Sequence, residues 1–285
     1  MSNPRYPHTQ FSEQDIKDLS ATMKVGILGT VTPEGLPHLT LITTLMASSP
    51  KEMVWGQFME GVSKQHIKQN PKTGFMVMGL DKNVWRGCAV YTHSAKEGRA
   101  YDFYNNTPLF RYNAYFGVHT VHYMNLIAQT GKHPLPMNQI ILAAVKTMIA
   151  KFFSLKHEKA VVLNLWSKAF YDKIDNLKFL AYVGADGYPV IIPLIQAQSL
   201  DREHMIFSFG AFGEELSQIP ANIPMAVFGM ALSMEDVLVR GTYQGAKRSA
   251  GVKCGVVQLD YAYNPMPPTP MQIYPEVPIE AVIEF

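Results

Sequence analysis

Cysteine is scarce in this chain. Cys88 and Cys254 are the only two among 285 residues, and they form no metal-like spacing. That scarcity fits a reducing compartment, with both thiols buried and inert. Charge is also sparse, at 17% of residues with a net +2, which gives no reason to expect nucleic acid or an anionic membrane as partner. No apolar run is long enough to cross a bilayer: the most apolar stretch, 140–153, is broken by Lys146 and Lys151. It reads instead as an amphipathic helix with Ile140, Ala143, Ala144, Thr147 and Met148 on one face. Residues 1–23 lack the apolar core of a signal peptide, so a soluble cytoplasmic protein is expected. G-x-G-x-x-G after a strand, a G-x-S-x-G elbow, H-E-x-x-H and a P-loop are all missing, so those templates are set aside.

What the chain does contain is a long internal repeat. KVGILGTVTPEGLPHLTLITTLMASSPKEMVWGQFMEGVSKQHIKQNP, from Lys24 to Pro71, is echoed by KFLAYVGADGYPVIIPLIQAQSLDREHMIFSFGAFGEELSQIPANIP, from Lys178 to Pro224. Gly35 and Gly187, Pro37 and Pro189, Met53 and Met205, Gly61 and Gly213, and Asn70 and Asn222 share one offset (187 − 35 = 222 − 70 = 152). A repeat of this length marks a duplicated domain rather than a solenoid. The copies differ at one telling place: Ser63-Lys64 in the first becomes Glu215-Leu216 in the second. A basic residue at a helix start is suited to phosphate, and only the first copy carries it.

Turn and cap residues outline the elements. Ser12 caps a short helix, with Asp15 in the place that a capping box gives to Glu. Strands are expected at 25–31, 37–45, 52–58, 74–80 and 85–93, with a Pro33-Glu34-Gly35 turn after the first. A helix over 63–69 is closed by Asn70-Pro71. The second copy repeats the order over 178–184, 189–199, 204–209, helix 214–219, 224–232 and 236–245. Antiparallel strands with one short helix between the middle pair argue for a small barrel, not for alternating βα units. The expected organisation is a first barrel over 1–99, an aromatic and helical insert over 100–164, a second barrel over 165–263, and a Pro-rich arm over 264–285. The segment 100–176 shows no counterpart in either copy.

At GTVTPEGLPHLTLI, SKQHIKQNP and RGCAVY, the chain resembles the FMN-binding split β-barrel family, which includes pyridoxamine 5′-phosphate oxidase-like proteins. The likeness covers about residues 11–95, and 165–245 more weakly. It implies two tandem split β-barrel domains, mainly β with some α, and FMN held at a dimer interface. By position, Lys64 and Ser63 would hold the phosphate. Thr40, Leu41, Ile42 and Thr43 would line the ring and ribityl chain, with Gln57 and Phe58 flanking the ring. Trp85 and Arg86 would stand where partner-side contacts fall. By residue type alone, Lys64 is an ordinary helix lysine, the threonines suit any strand, and Trp85 suits a core. The richer basic set of the oxidase itself is missing, which argues against pyridoxamine phosphate as substrate. Glu214 and Glu215 would repel a phosphate in the second copy, and Ile192 and Ile195 replace Thr40 and Thr43 there.

Two other features carry possible chemistry. His119 and His122 form H-x-x-H; on a helix both rings would face one metal or haem, and packing histidines are the plainer alternative. The insert would cap the flavin pocket and bring Arg111, Tyr115, His119 or Tyr123 to a substrate. The expectation is therefore an FMN-binding oxidoreductase acting on a small-molecule redox substrate, as a homodimer or with its two copies mimicking one. A non-catalytic flavin-binding or sensing module and a haem-binding split barrel are the alternatives.

Overall fold

A computed structural model describes residues 5–58, 61–108, 117–156, 158–233, 235–265 and 271–278. Two compact units divide the chain, 1–135 with 183–191, and 136–182 with 192–285.

The first unit begins with α1 (Glu13–Leu19), which carries the expected capping box: Asp15 N–H donates to Ser12 Oγ at 3.1 Å, and Ser12 N–H to Asp15 Oδ2 at 3.0 Å. Strands β1 (Lys24–Val31) and β2 (Pro37–Leu41) form a hairpin whose turn puts Gly35 at φ 81°, where a Cβ is disfavoured. The strands β3 (Met46–Ser49), β4 (Glu52–Gln57), β5 (Lys72–Gly79), β6 (Asn83–Ala95) and β7 (Thr120–Gln129) complete an antiparallel path. The sheet order is β2-β1-β5-β6-β7-β4-β3, with the short β8 (His133–Pro134) pairing β6.

That order dictates a barrel. β2 and β3 are opposite ends of the path, yet only residues 42–45 join them. Seven flat strands would set the two edges about 29 Å apart, at roughly 4.8 Å per spacing. The five steps from Leu41 to Met46 reach about 18 Å when fully extended. The sheet must therefore curl until its edges approach. The bend is closed by Ile42 N–H to Gly26 C=O at 2.7 Å and Leu45 N–H to Ile42 C=O at 3.1 Å. Inside lie Leu28, Trp55, Phe75, Val77, Trp85 and Met124, all buried; each such side chain contributes roughly 1.5–3 kcal/mol by leaving water.

The second sheet repeats the arrangement. Its strands are β9 (Leu177–Val183), β10 (Pro189–Pro193), β11 (Gln198–Ser199), β12 (His204–Ser208), β13 (Pro224–Met230), β14 (Asp236–Ser249) and β15 (Val252–Asn264). Their order is β10-β9-β13-β14-β15-β12-β11, and β10 and β11 are again joined by four residues, 194–197. Leu194 N–H to Lys178 C=O and Ala197 N–H to Leu194 C=O, both 2.8 Å, reproduce the bend at the 152-residue offset.

Three expectations need correction. The strands expected at 37–45 and 189–199 are each interrupted by that bend. Residues 120–129 are not part of an unmatched insert: β7 lies between β6 and β4, the place β15 takes in the second sheet. The helix α4 (Met137–Phe153) buries Ile140, Ala143, Ala144, Thr147 and Ala150, while Met148 is exposed. At 100° per residue the buried face centres between 143 and 147, which leaves 148 on its flank. In the Pro-rich arm, β16 (Met271–Tyr274) pairs with β15. Among the described residues, no helix is long and apolar enough to cross a membrane.

One buried carboxyl sets a pH dependence in the second unit. Asp236 is 7% exposed at the start of β14, near the phenols of Tyr171 and Tyr263, and its Oδ1 has no hydrogen-bond partner among the described residues. Burial pushes its pKa from 3.8 up to about 7. A carboxyl raised in the folded state favours folding below its unfolded pKa, and the benefit is lost as pH rises through about 7. Asp236→Asn is expected to remove this component. Thermal unfolding between pH 5 and pH 8 should show a smaller fall in Tm for the variant than for the parent chain.

Candidate functional site

The helix α2 (Val62–Gln69) follows β4 and presents Ser63, Lys64, His66 and Ile67 on its buried side. Its spacing of 63, 66 and 67 is the i, i+3, i+4 pattern of one helix face. Gly61 precedes it in extended conformation and supplies no side-chain cap. The first N–H groups of a helix lack acceptors one turn back, so an uncapped start leaves donors for another group, although Lys64 N–H already bonds Gly61 C=O at 3.3 Å. No acidic residue lies in that turn, and Lys64, His66 and Lys68 are the titratable side chains of the helix. The local field therefore favours an anion.

Two hydrogen bonds fix this helix on the sheet. Ser63 Oγ bonds Thr40 Oγ1, which ties the first turn to β2. His66 Nδ1 lies 3.0 Å from Thr30 Oγ1 on β1, and the His66 ring meets His38 edge-on with centroids 5.1 Å apart. Lys64 is 8% exposed, an uncommon degree of burial for a lysine. The structure thus brings Thr40, Ser63 and Lys64 together. Leu41 and Ile42 continue β2 into the bend, half-buried, and Thr43 is exposed.

At the end of β4, Gln57 is buried and its Oε1 lies 2.9 Å from His122 Nε2. The His122 ring stacks on Trp55 with centroids 4.0 Å apart and 13° between planes. Phe58 packs against the cluster of Val54, Tyr104, Val118 and Val121. Tyr104, from α3 (Arg99–Asn106), donates its hydroxyl to Thr44 C=O at 2.7 Å, and burial holds that phenol well above its ordinary pKa.

Other expected positions are engaged elsewhere. Trp85 is in the core and donates Nε1–H to Asp15 Oδ1 at 2.8 Å, one of the bonds that hold the Asp15 carboxyl below its usual range against the opposing effect of burial. Arg86 is buried and donates from Nη1 to Ile191 C=O at 3.2 Å in the same compact unit. Arg111 and Tyr115 lie outside the described residues. His119 and His122 flank the start of β7 rather than lying on a helix. Residues three apart on a strand face opposite sides, and His119 is exposed whereas His122 is buried, so the pair does not converge on one ion. Tyr123 is half-buried and stacks on His93 at 4.4 Å. Among the described residues, no three His, Cys, Asp or Glu side chains gather as metal ligands.

Sequence reasoning passed over His38 and His66. For His66 the signal was its spacing from Ser63, which places those two on the buried helix face, whereas His38 lies on β2 and had no such signal.

The corresponding place in the second copy is built differently. The helix α6 (Gly213–Ser217), the next after α5 (Leu165–Asp172), has five residues, starts from Phe212 at φ 55°, and carries Glu214 and Glu215 in its first turn. Leu216, buried, stands at the position of Lys64, and Ile192 is fully buried at that of Thr40.

No family model matches the chain, and no curated protein matches it. Among solved structures, an FMN-binding protein from Syntrophomonas wolfei subsp. wolfei is similar at 18% identity and TM-score 0.34, over 41% of this chain and 82% of that one. A FAD-binding protein from Mesorhizobium loti is similar at 14% identity and TM-score 0.30, over 44% and 96%. An F420 reductase is similar at 16% and 0.34, over 42% and 98%.

The tie between α2 and β2 is measurable. Thr40→Val leaves Ser63 Oγ buried without its partner and is expected to cost about 1–3 kcal/mol. The Thr40→Val/Ser63→Ala pair should cost less than the two single changes together. Urea unfolding of the four proteins checks this; strict additivity would mean that the bond does not hold the helix.

Proposed function

We propose that the first unit binds FMN and that the protein is a flavin-dependent oxidoreductase acting on a small-molecule redox substrate. The observation that carries this reading is the uncapped start of α2, with buried Lys64 beside Ser63 and Ser63 bonded to Thr40. A phosphate needs positive charge and N–H donors, and this turn supplies both. The residues present therefore fit the phosphate of FMN. Lys64 and the first-turn N–H groups would hold it, Ser63 would accept or donate one bond, and Thr40 to Thr43 would border the ribityl chain and ring.

When bound, FMN would supply the redox chemistry. The protein's part is to orient it and to keep one side dry. Gln57, held by His122, would be a fixed polar group beside the ring, and Phe58 an apolar one. The second copy, acidic at the matching helix start, is assigned a structural role. Two chains pairing as a homodimer belong to the same reading, and sedimentation of the flavin-loaded protein should give a dimer.

The test compares FMN with riboflavin, which lacks the phosphate. FMN should bind more tightly by about tenfold or more, the worth of a charge-assisted hydrogen bond. Lys64→Ala should bring the two affinities together, read from quenching of flavin fluorescence. A parent chain that takes up no FMN, or that binds FMN and riboflavin alike, would sink the proposal.

A further inference from the structure

A second site lies wholly within the second unit, away from α6. A cavity of ≈ 640 Å³ opens between the end of α4, the start of β12 and the paired ends of β14 and β15. That volume lies in the range of small-molecule sites. Its lining combines an apolar wall, including Phe153 and Leu200, with Lys159, Lys247 and Arg248 on its rim and His204 within it.

His204 is held as a prepared group. Asp201, 3% exposed, accepts from the main-chain N–H of Glu203 and of His204, both at 2.8 Å, and also contacts His204 Nδ1 at 2.9 Å. Two main-chain bonds fix the carboxylate, and the carboxylate fixes the imidazole. With Nδ1 engaged, Nε2 is the ring nitrogen offered to the cavity, an acceptor in the neutral ring. The nearby Glu203 carboxylate is already used: it accepts from Gln258 Nε2 and from the N–H groups of Lys159 and Ala160. Those bonds hold its pKa down to about 2, so it is a fixed charge that organises the wall.

The rim cations have a local cause as well. The β14–β15 pairing slips between Tyr243 and Ala246, with Gly245 at φ 85°. A bulge of this kind re-aims the side chains beyond it. Lys247 and Arg248 follow it directly and are exposed, as is Lys159. Lys247 Nζ is steadied by Gln244 Oε1 at 2.7 Å.

We infer that this cavity binds a small organic anion: a phosphate or carboxylate against Lys159, Lys247 and Arg248, a hydroxyl or N–H donating to His204 Nε2, and an apolar body on the Phe153 and Leu200 wall. This site is independent of the flavin reading, since it shares no residue with α2.

Calorimetric titration of the full chain at low ionic strength tests it, with adenosine 5′-monophosphate as the phosphate probe and 4-hydroxybenzoate as the carboxylate probe. Adenosine and phenol are the uncharged controls. At least one anion should bind with Kd below roughly 1 mM, more tightly than its control by about tenfold. K247Q/R248Q should remove that preference, and H204Q should weaken binding while Lys64→Ala leaves it unchanged. The two rim residues are exposed, so their variant tests the site even if H204Q fails to fold. Binding of neither anion, equal binding of anion and control, or an unaltered K247Q/R248Q protein would each overturn the inference. Loss of binding in Lys64→Ala instead would place the anion at α2 and overturn it too.

Discussion

Four residues between the outermost strands govern each sheet. Because 42–45 and 194–197 must join opposite ends of a seven-strand path, neither sheet can lie flat. The bend bonds, Ile42 to Gly26 and Leu194 to Lys178, are therefore closure bonds and not ordinary turn contacts. In the first copy this closure also positions chemistry. It leaves Thr40, paired with Leu28 near the end of β2, bonded to Ser63 on the next helix. The barrel edge thereby fixes the orientation of that helix start.

Most of this was legible in the residues. The Gly35 and Gly187 turns, the Asn-Pro stop after α2 and the capping box at Ser12 each have a local physical cause, and local causes can be read from neighbours in the chain. What was not legible depended on distant partners. Thr120–Gln129 reads TVHYMNLIAQ, and its burial alternates only from Met124 onward. Its place between β6 and β4 is decided by strands some thirty and seventy residues away, and its counterpart, VKCGVVQLDYAYN, shares little of its composition. The His119–His122 spacing drew attention to a helical period in a segment whose true period is two.

The site itself was partly legible for the same reason. Ser63 and Lys64 stand out against Glu215 and Leu216, a contrast within one sequence. Gln57 was chosen only because it ends a strand, and its link to His122 is a tertiary contact that no local pattern encodes. Trp85 illustrates the converse: its position beside Arg86 suggested an interface, but its indole N–H is committed to Asp15 in α1. An indole N–H is a single donor, so once it bonds Asp15 it has nothing left for a ligand, and that partner is visible only in three dimensions.

The two copies also treat the interior of the bend in opposite ways. Gly26 offers no side chain there, and Thr43 is exposed. In the second copy Lys178 stands at the position of Gly26, fully buried, with Nζ 2.5 Å from Lys173 C=O and 3.3 Å from Ile195 C=O. Ile195 is the counterpart of Thr43, so a lysine reaches back to bond the carbonyl of the very residue that the first copy leaves at the surface. Burial brings the Lys178 ammonium down to about 8, even with Asp172 and Asp175 acting in the opposite direction. A cation placed inside to satisfy its own fold is not available to a ligand. The first copy has no room for a side chain there, since a Cβ on Gly26 would clash with Ile42 C=O, and it buries Lys64 at the helix start. The two copies thus differ in where they bury a lysine, at the helix start in the first and behind the bend in the second.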